Sequence, residues 1–160
     1  MSSWASLALC VVICFAAAAI GGWATAGSVG TWYQTLAKPA WNPPDRVFGP
    51  VWSLLYLTMA VALWLVVRSG AWPECRTAVA LFGLQLLLNM GWSALFFGLR
   101  RPDLAALEIG VLWVAIVATV LAFWRHSPAA AALLLPYLAW VSFASVLNVT
   151  VWQMNRGLSR

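Results

Sequence analysis

The sequence predicts an all-α integral membrane domain: a bundle of five transmembrane helices with a long ordered loop between helices 1 and 2. Three observations carry this. Of the 160 residues, 64% are apolar and 8% charged, where a water-soluble domain carries roughly 25% charge. Five apolar runs each reach the ~20 residues needed to cross a hydrocarbon core. The last four are separated only by short connections rich in Arg, Pro, Ser and acidic residues, so neighbouring helices run antiparallel. The whole chain, 1–160, reads as one membrane domain.

The same arithmetic excludes other classes. The net charge of +5 comes from basic residues scattered singly or in pairs between apolar runs. That pattern flanks membrane helices and is no nucleic-acid footprint. Three Cys and one His do not make a Cys/His metal site, so no metal is expected. No cofactor is required either.

The first run covers 4–26. Cys10 and Cys14 lie one turn apart in it and are expected to pack as small apolar residues. Ala24-Thr25-Ala26 resembles a signal-peptide cleavage site, but no Lys or Arg precedes the run. A retained helix is therefore expected. The segment 27–47 is the one long connection. It holds Trp32, Tyr33, Trp41 and the prolines Pro39, Pro43 and Pro44. It is too irregular to cross a bilayer and too aromatic for a plain linker, which predicts an ordered lid. Lys38 and Arg46 would stand at its rim. The remaining runs are 48–67, 78–99, 104–124 and 129–152.

Lys and Arg counts orient the bundle. Arg68, Arg76 and Arg125 fall on one side. Lys38, Arg46, Arg100, Arg101, Arg156 and Arg160 fall on the other. The larger set places the long loop and the C-terminus on the cytoplasmic side.

Twelve Trp are the anomaly of the composition. Trp4, Trp23, Trp72 and Trp124 suit interfacial belts. Trp52, Trp92, Trp113 and Trp140 fall inside the apolar runs and need another reason. The neutral polar residues supply one. Gln85, Asn89, Trp92 and Phe96 share a helical face, as do Trp52, Tyr56 and Met59, and Tyr137, Trp140, Ala144 and Asn148. Amides and indoles are costly in lipid without partners, so these faces turn inward together. They form either hydrogen-bonded interhelical packing or, the sharper reading, an aromatic small-molecule pocket with a few polar anchors. Pro136 bends the fifth helix one turn before Trp140. Glu108 is the one ionisable residue well inside a run, and is expected near the interface, hydrogen-bonded to a neighbouring helix. No chain of carboxylates crosses the membrane, which disfavours a proton-coupled pump. Ala80, Gly83, Gly91, Ala94 and Gly98 form a small-residue stripe suited to close contact with a second copy. Asn148-Val149-Thr150 matches a glycosylation sequon but lies inside a run.

The residues Trp32-Tyr33-x-x-Leu36-x-Lys38-Pro39-x-Trp41-x-Pro43-Pro44, then Phe48-x-Pro50-x-Trp52 and Tyr56, resemble the signature of the TspO/MBR family. This family comprises bacterial tryptophan-rich sensory proteins and mitochondrial translocator proteins, or peripheral-type benzodiazepine receptors. The match continues through Asn89-x-x-Trp92-Ser93-x-x-Phe96-Phe97-Gly98, Pro136-Tyr137-x-x-Trp140 and Leu147-Asn148, and covers almost the whole chain. The resemblance, to a bacterial member, implies a five-helix homodimer whose pocket takes tetrapyrroles such as protoporphyrin IX and benzodiazepine-type drugs. Matching positions assign the pocket to Tyr33, Trp52, Asn89, Trp140 and Ala144. Trp52 and Trp140 match positions linked in some bacterial members to light-dependent porphyrin degradation, which makes them the candidate catalytic residues. Where mammalian members carry the Tyr and Arg of a cholesterol motif, this chain has Val149 and Gln153; sterol binding through that motif is not expected.

Three functions follow. The leading one is a membrane receptor or sensor in which a flat macrocycle stacks on Trp rings and its propionates meet Lys38 or Arg46. The second is an enzyme that photo-oxidises the porphyrin, revealed by a bilin-like product under illumination. The third is a small-molecule transporter, revealed by vesicle uptake.

Overall fold

The computed structural model describes residues 3–70 and 72–157; Arg160, counted above for sidedness, lies outside them. Five helices are long and apolar enough to cross a membrane: α1 (Ser3–Val29), α2 (Asp45–Ser69), α3 (Trp72–Gly98), α4 (Pro102–His126) and α5 (Pro128–Met154). No strand occurs among the described residues.

Each helix overruns its apolar stretch at most of its ends, because hydropathy marks what lipid tolerates and not where backbone hydrogen bonding stops. The connection predicted at 125–128 shrinks to Ser127, whose Oγ accepts from the Ala130 N–H at 3.2 Å while Pro128 opens α5. Both features are preferred at helix starts. The loop is also shorter than 27–47. Residues 27–29 complete α1 and 45–47 begin α2, leaving 30–44 with one helical turn, Trp32–Thr35.

The last residues of α3, Ala94–Gly98, form a π-helical segment. The turn after it carries Arg100 at φ 55° and is closed by the Arg101 N–H donating to the Leu95 carbonyl at 3.0 Å.

Around the bundle the order is α1, α2, α5, α4, α3, each helix packing on its neighbours. One end gathers the loop, the α3–α4 turn and the C-terminal end of α5. There Ser28 Oγ donates to the Phe97 carbonyl at 2.7 Å, and Asn155 binds Ala37. At the other end Trp64 Nε1 donates to the Ser3 carbonyl at 3.1 Å. The half of the bundle away from the loop is filled. Cys10, Cys14, Leu63, Val66 and Ala78 are buried there, and Phe82 stacks on Phe123 with centroids 5.8 Å apart. Pro136 lies within α5 without ending it.

Candidate functional site

The half of the bundle at the loop end holds a cavity of about 770 Å³. This is within the roughly 300–1,000 Å³ of small-molecule sites. Its walls come from the C-terminal halves of α1, α3 and α5, the N-terminal half of α2, and Tyr33 from the loop; α4 contributes nothing. Tyr33, Trp52, Asn89, Trp140 and Ala144 all line it. Trp92, Phe96 and Asn148 do too.

The three inward faces divide by depth. Trp52, Tyr56, Asn89, Trp92, Trp140 and Asn148 border the cavity, while Met59, Gln85 and Tyr137 are buried in the packed region next to it. A polar network joins the two levels. Tyr56 Oη donates to Asn89 Oδ1 at 2.5 Å, Asn89 Nδ2 donates to Tyr137 Oη at 3.1 Å, and Tyr137 Oη donates to Gln85 Oε1 at 2.9 Å. These groups lie on α2, α3 and α5, so one network ties three helices together. Fully satisfied polar groups in a dry interior rigidify their surroundings.

Most other polar groups on the wall are also engaged. Trp92 Nε1 donates to Asn148 Oδ1 at 2.9 Å, and Asn148 Nδ2 donates to the Pro102 carbonyl at 2.9 Å. Tyr33 Oη donates to Asn42 Oδ1 at 3.0 Å. The indole N–H groups of Trp52 and Trp140 have no hydrogen-bond partner among the described residues, although both rings line the cavity. Trp52 is held by rings, tilted on Tyr56 at 5.7 Å and edge-on to Tyr137 at 6.3 Å. Trp140 packs between Phe48 and Phe143 at 5.9 and 5.6 Å. Trp113, grouped with these by sequence, lies elsewhere and donates to Ser142 Oγ at 2.8 Å.

The four lid and rim residues are absent from the cavity lining. Trp32 meets Phe96 edge-on and Trp41 meets Phe143, both at 5.8 Å; they back wall residues. Lys38 turns its ammonium onto the carbonyls of Tyr33 and Leu36, at 2.6 and 3.3 Å, and lies 4.6 Å over the Tyr33 ring. Arg46 is exposed on the first turn of α2. The charged residue that does line the mouth is Asp45. Burial, and then the nearby Asp45 carboxylate, push the Tyr33 phenol above its ordinary range.

A complete wall escaped the sequence reading, which assigned no site residue to α1. Ala18, Ala19, Gly21, Gly22, Thr25 and Ala26 line the cavity. The signal was their spacing of three and four residues. At Gly21 the helices approach closely: a Cβ there would sit 3.3 Å from Ser93 Oγ.

Two further expectations change. Glu108 has no hydrogen bond to a neighbouring helix; both its carboxylate oxygens are buried without a partner among the described residues. It points at Gly91, whose Cβ would lie 3.6 Å from Glu108 Oε1. Gly91 therefore faces α4, while Ala80, Ala94 and Gly98 of the same stripe are exposed and Gly83 is half-buried.

Residues 10–153 match the TspO/MBR family. The chain is 48% identical over 152 residues to the tryptophan-rich protein TspO of Chlorobaculum tepidum, covering 94% of this chain and 96% of that one. It is 41% identical over 128 residues to the translocator protein of Homo sapiens (79% and 76%). It is 36% identical over 141 residues to the tryptophan-rich sensory protein of Cereibacter sphaeroides (86% and 87%).

Proposed function

This chain belongs to the TspO/MBR family, and on that premise we propose that it is a multi-pass membrane receptor or sensor. Its cavity binds flat tetrapyrroles of the protoporphyrin IX kind and benzodiazepine-type drugs. One observation carries the reading: in an apolar, ring-lined cavity of about 770 Å³, the indole N–H groups of Trp52 and Trp140 have no partner among the described residues. The large ring faces supply stacking area. The two N–H donors supply orientation to a ligand carbonyl or ring nitrogen.

The same reading assigns a homodimer contact to the outward face of α3, where Ala80, Ala94 and Gly98 are exposed and small residues favour close approach in lipid. It sets the loop end on the cytoplasmic side of a bacterial membrane, supported by the excess of Lys and Arg there.

The test is titration of the detergent-solubilised protein with protoporphyrin IX, followed by Trp fluorescence quenching and the porphyrin absorption band. Trp52→Phe and Trp140→Phe keep a ring but lose a donor. Each should weaken binding about five-fold, the worth of one hydrogen bond. Gly22→Phe should block binding without harming the fold, because a Cβ at Gly22 meets nothing within 4 Å. Full affinity in the Gly22→Phe protein would mean that the ligand sits elsewhere.

A further inference from the structure

Asp45 is the one charged side chain among the residues that line the cavity. It stands exposed in the first turn of α2, and its Oδ2 accepts from Gln34 Nε2 at 2.5 Å. Among the described residues it has no salt-bridge partner. Neither of the two basic residues nearby forms a salt bridge with it. Lys38 is held by two carbonyls, over the Tyr33 ring, and both it and Arg46 are absent from the lining. Asp45 also offsets the positive N-terminal end of the α2 dipole, which would otherwise face the mouth and favour anions. Burial first, and then the Asp45 carboxylate, push the phenol of the wall residue Tyr33 upward.

We infer that Asp45 is a specificity-determining residue, selecting ligands that are neutral or carry a cation or hydrogen-bond donor where they reach the mouth, against ligands with carboxylates there. This rests on the tetrapyrrole reading above and names the charge class within it. A carboxylate docked beside Asp45 meets like charge with no free cation on the lining. An ammonium or amide N–H meets an acceptor.

The experiment uses one porphyrin ring in three charge states: protoporphyrin IX, its neutral dimethyl ester, and a diamide carrying terminal amines. Each is titrated into the wild-type protein and into Asp45→Asn, at low and high salt. Asp45→Asn keeps an acceptor for Gln34 and a good helix-starting side chain. It should strengthen dianionic protoporphyrin about two- to five-fold, weaken the amine derivative by a similar factor, and leave the ester unchanged. High salt should shrink both shifts. Asp45→Ser, another good helix start, should reproduce the pattern, which covers the case of an unstable Asn variant. An equal shift for all three ligands would show that Asp45 acts through the fold, and no shift for any would show that it does not face the bound ligand; either overturns the inference while leaving the tetrapyrrole reading intact. Wild-type protein that binds none of the three overturns both.

Discussion

Asn155 and Ala37, 118 residues apart, are joined through both backbone polar groups of Ala37: Asn155 Oδ1 accepts from the Ala37 N–H at 3.0 Å, and Asn155 Nδ2 donates to the Ala37 carbonyl at 2.9 Å. The same Nδ2 donates to the Val151 carbonyl at 2.7 Å, anchoring the amide on the last turn of α5. The loop that carries Tyr33 is thus pinned to the far end of the chain.

Asn155→Ala should free the segment around Ala37. Hydrogen exchange at the Ala37 amide should speed up, and porphyrin dissociation should quicken several-fold while the helices stay intact. Asn155→Asp should be no better, because a carboxylate still accepts from the Ala37 N–H but cannot donate to its carbonyl. Unchanged exchange in both variants would mean that the aromatic contacts of Trp32 and Trp41 hold the loop unaided.

Asn89→Ala should act on stability before it acts on ligand. It orphans the Tyr56 hydroxyl and removes one of the two bonds to Tyr137, which has no exposed surface. A cost of about 1–3 kcal/mol follows, read as a lower thermal midpoint in detergent. Tyr137→Phe breaks the network from the other side, at Gln85 and Asn89. The double variant should lose less than the sum of the single losses, as expected for groups sharing one network.

Arg100→Gly should raise the thermal midpoint. The residue sits at φ 55°, where a side chain costs about 1–2 kcal/mol. Glycine adopts that conformation freely but loses more entropy on folding, so the net gain should be about 0.5–1 kcal/mol. A lowered midpoint would show that the Arg100 side chain makes a stabilising interaction that outweighs the backbone strain.

Glu108→Leu should be tolerated or stabilising. The carboxylate oxygens are buried and unpartnered, and replacing an unsatisfied polar group by an apolar one of similar reach removes a desolvation cost. Marked destabilisation, measured by the same melt, would reveal a bound group that satisfies the carboxylate in the membrane.

What the sequence determined by itself is whatever local composition dictates. Five long apolar stretches must become helices in lipid, because only a helix satisfies its backbone within one segment. The helical repeat then puts Asn89 and Trp92 on one face and Trp52 and Tyr56 on another, and the cost of a buried amide turns those faces inward. The motif running from Trp32 to Tyr56 pointed to the family. Tertiary structure alone decided which inward residues meet empty space. Gln85 and Asn89 share a face, yet Gln85 is packed and Asn89 borders the cavity, because the bundle is filled at one end and open at the other. It also decided that α1 forms a wall: small residues leave room only when a partner helix fails to fill it, which no single-helix pattern records. The charges at the mouth follow the same logic. Lys38 and Asp45 are both near Tyr33 in sequence, but the ammonium is held by two backbone carbonyls and is absent from the lining, while the first turn of α2 places the exposed Asp45 on it.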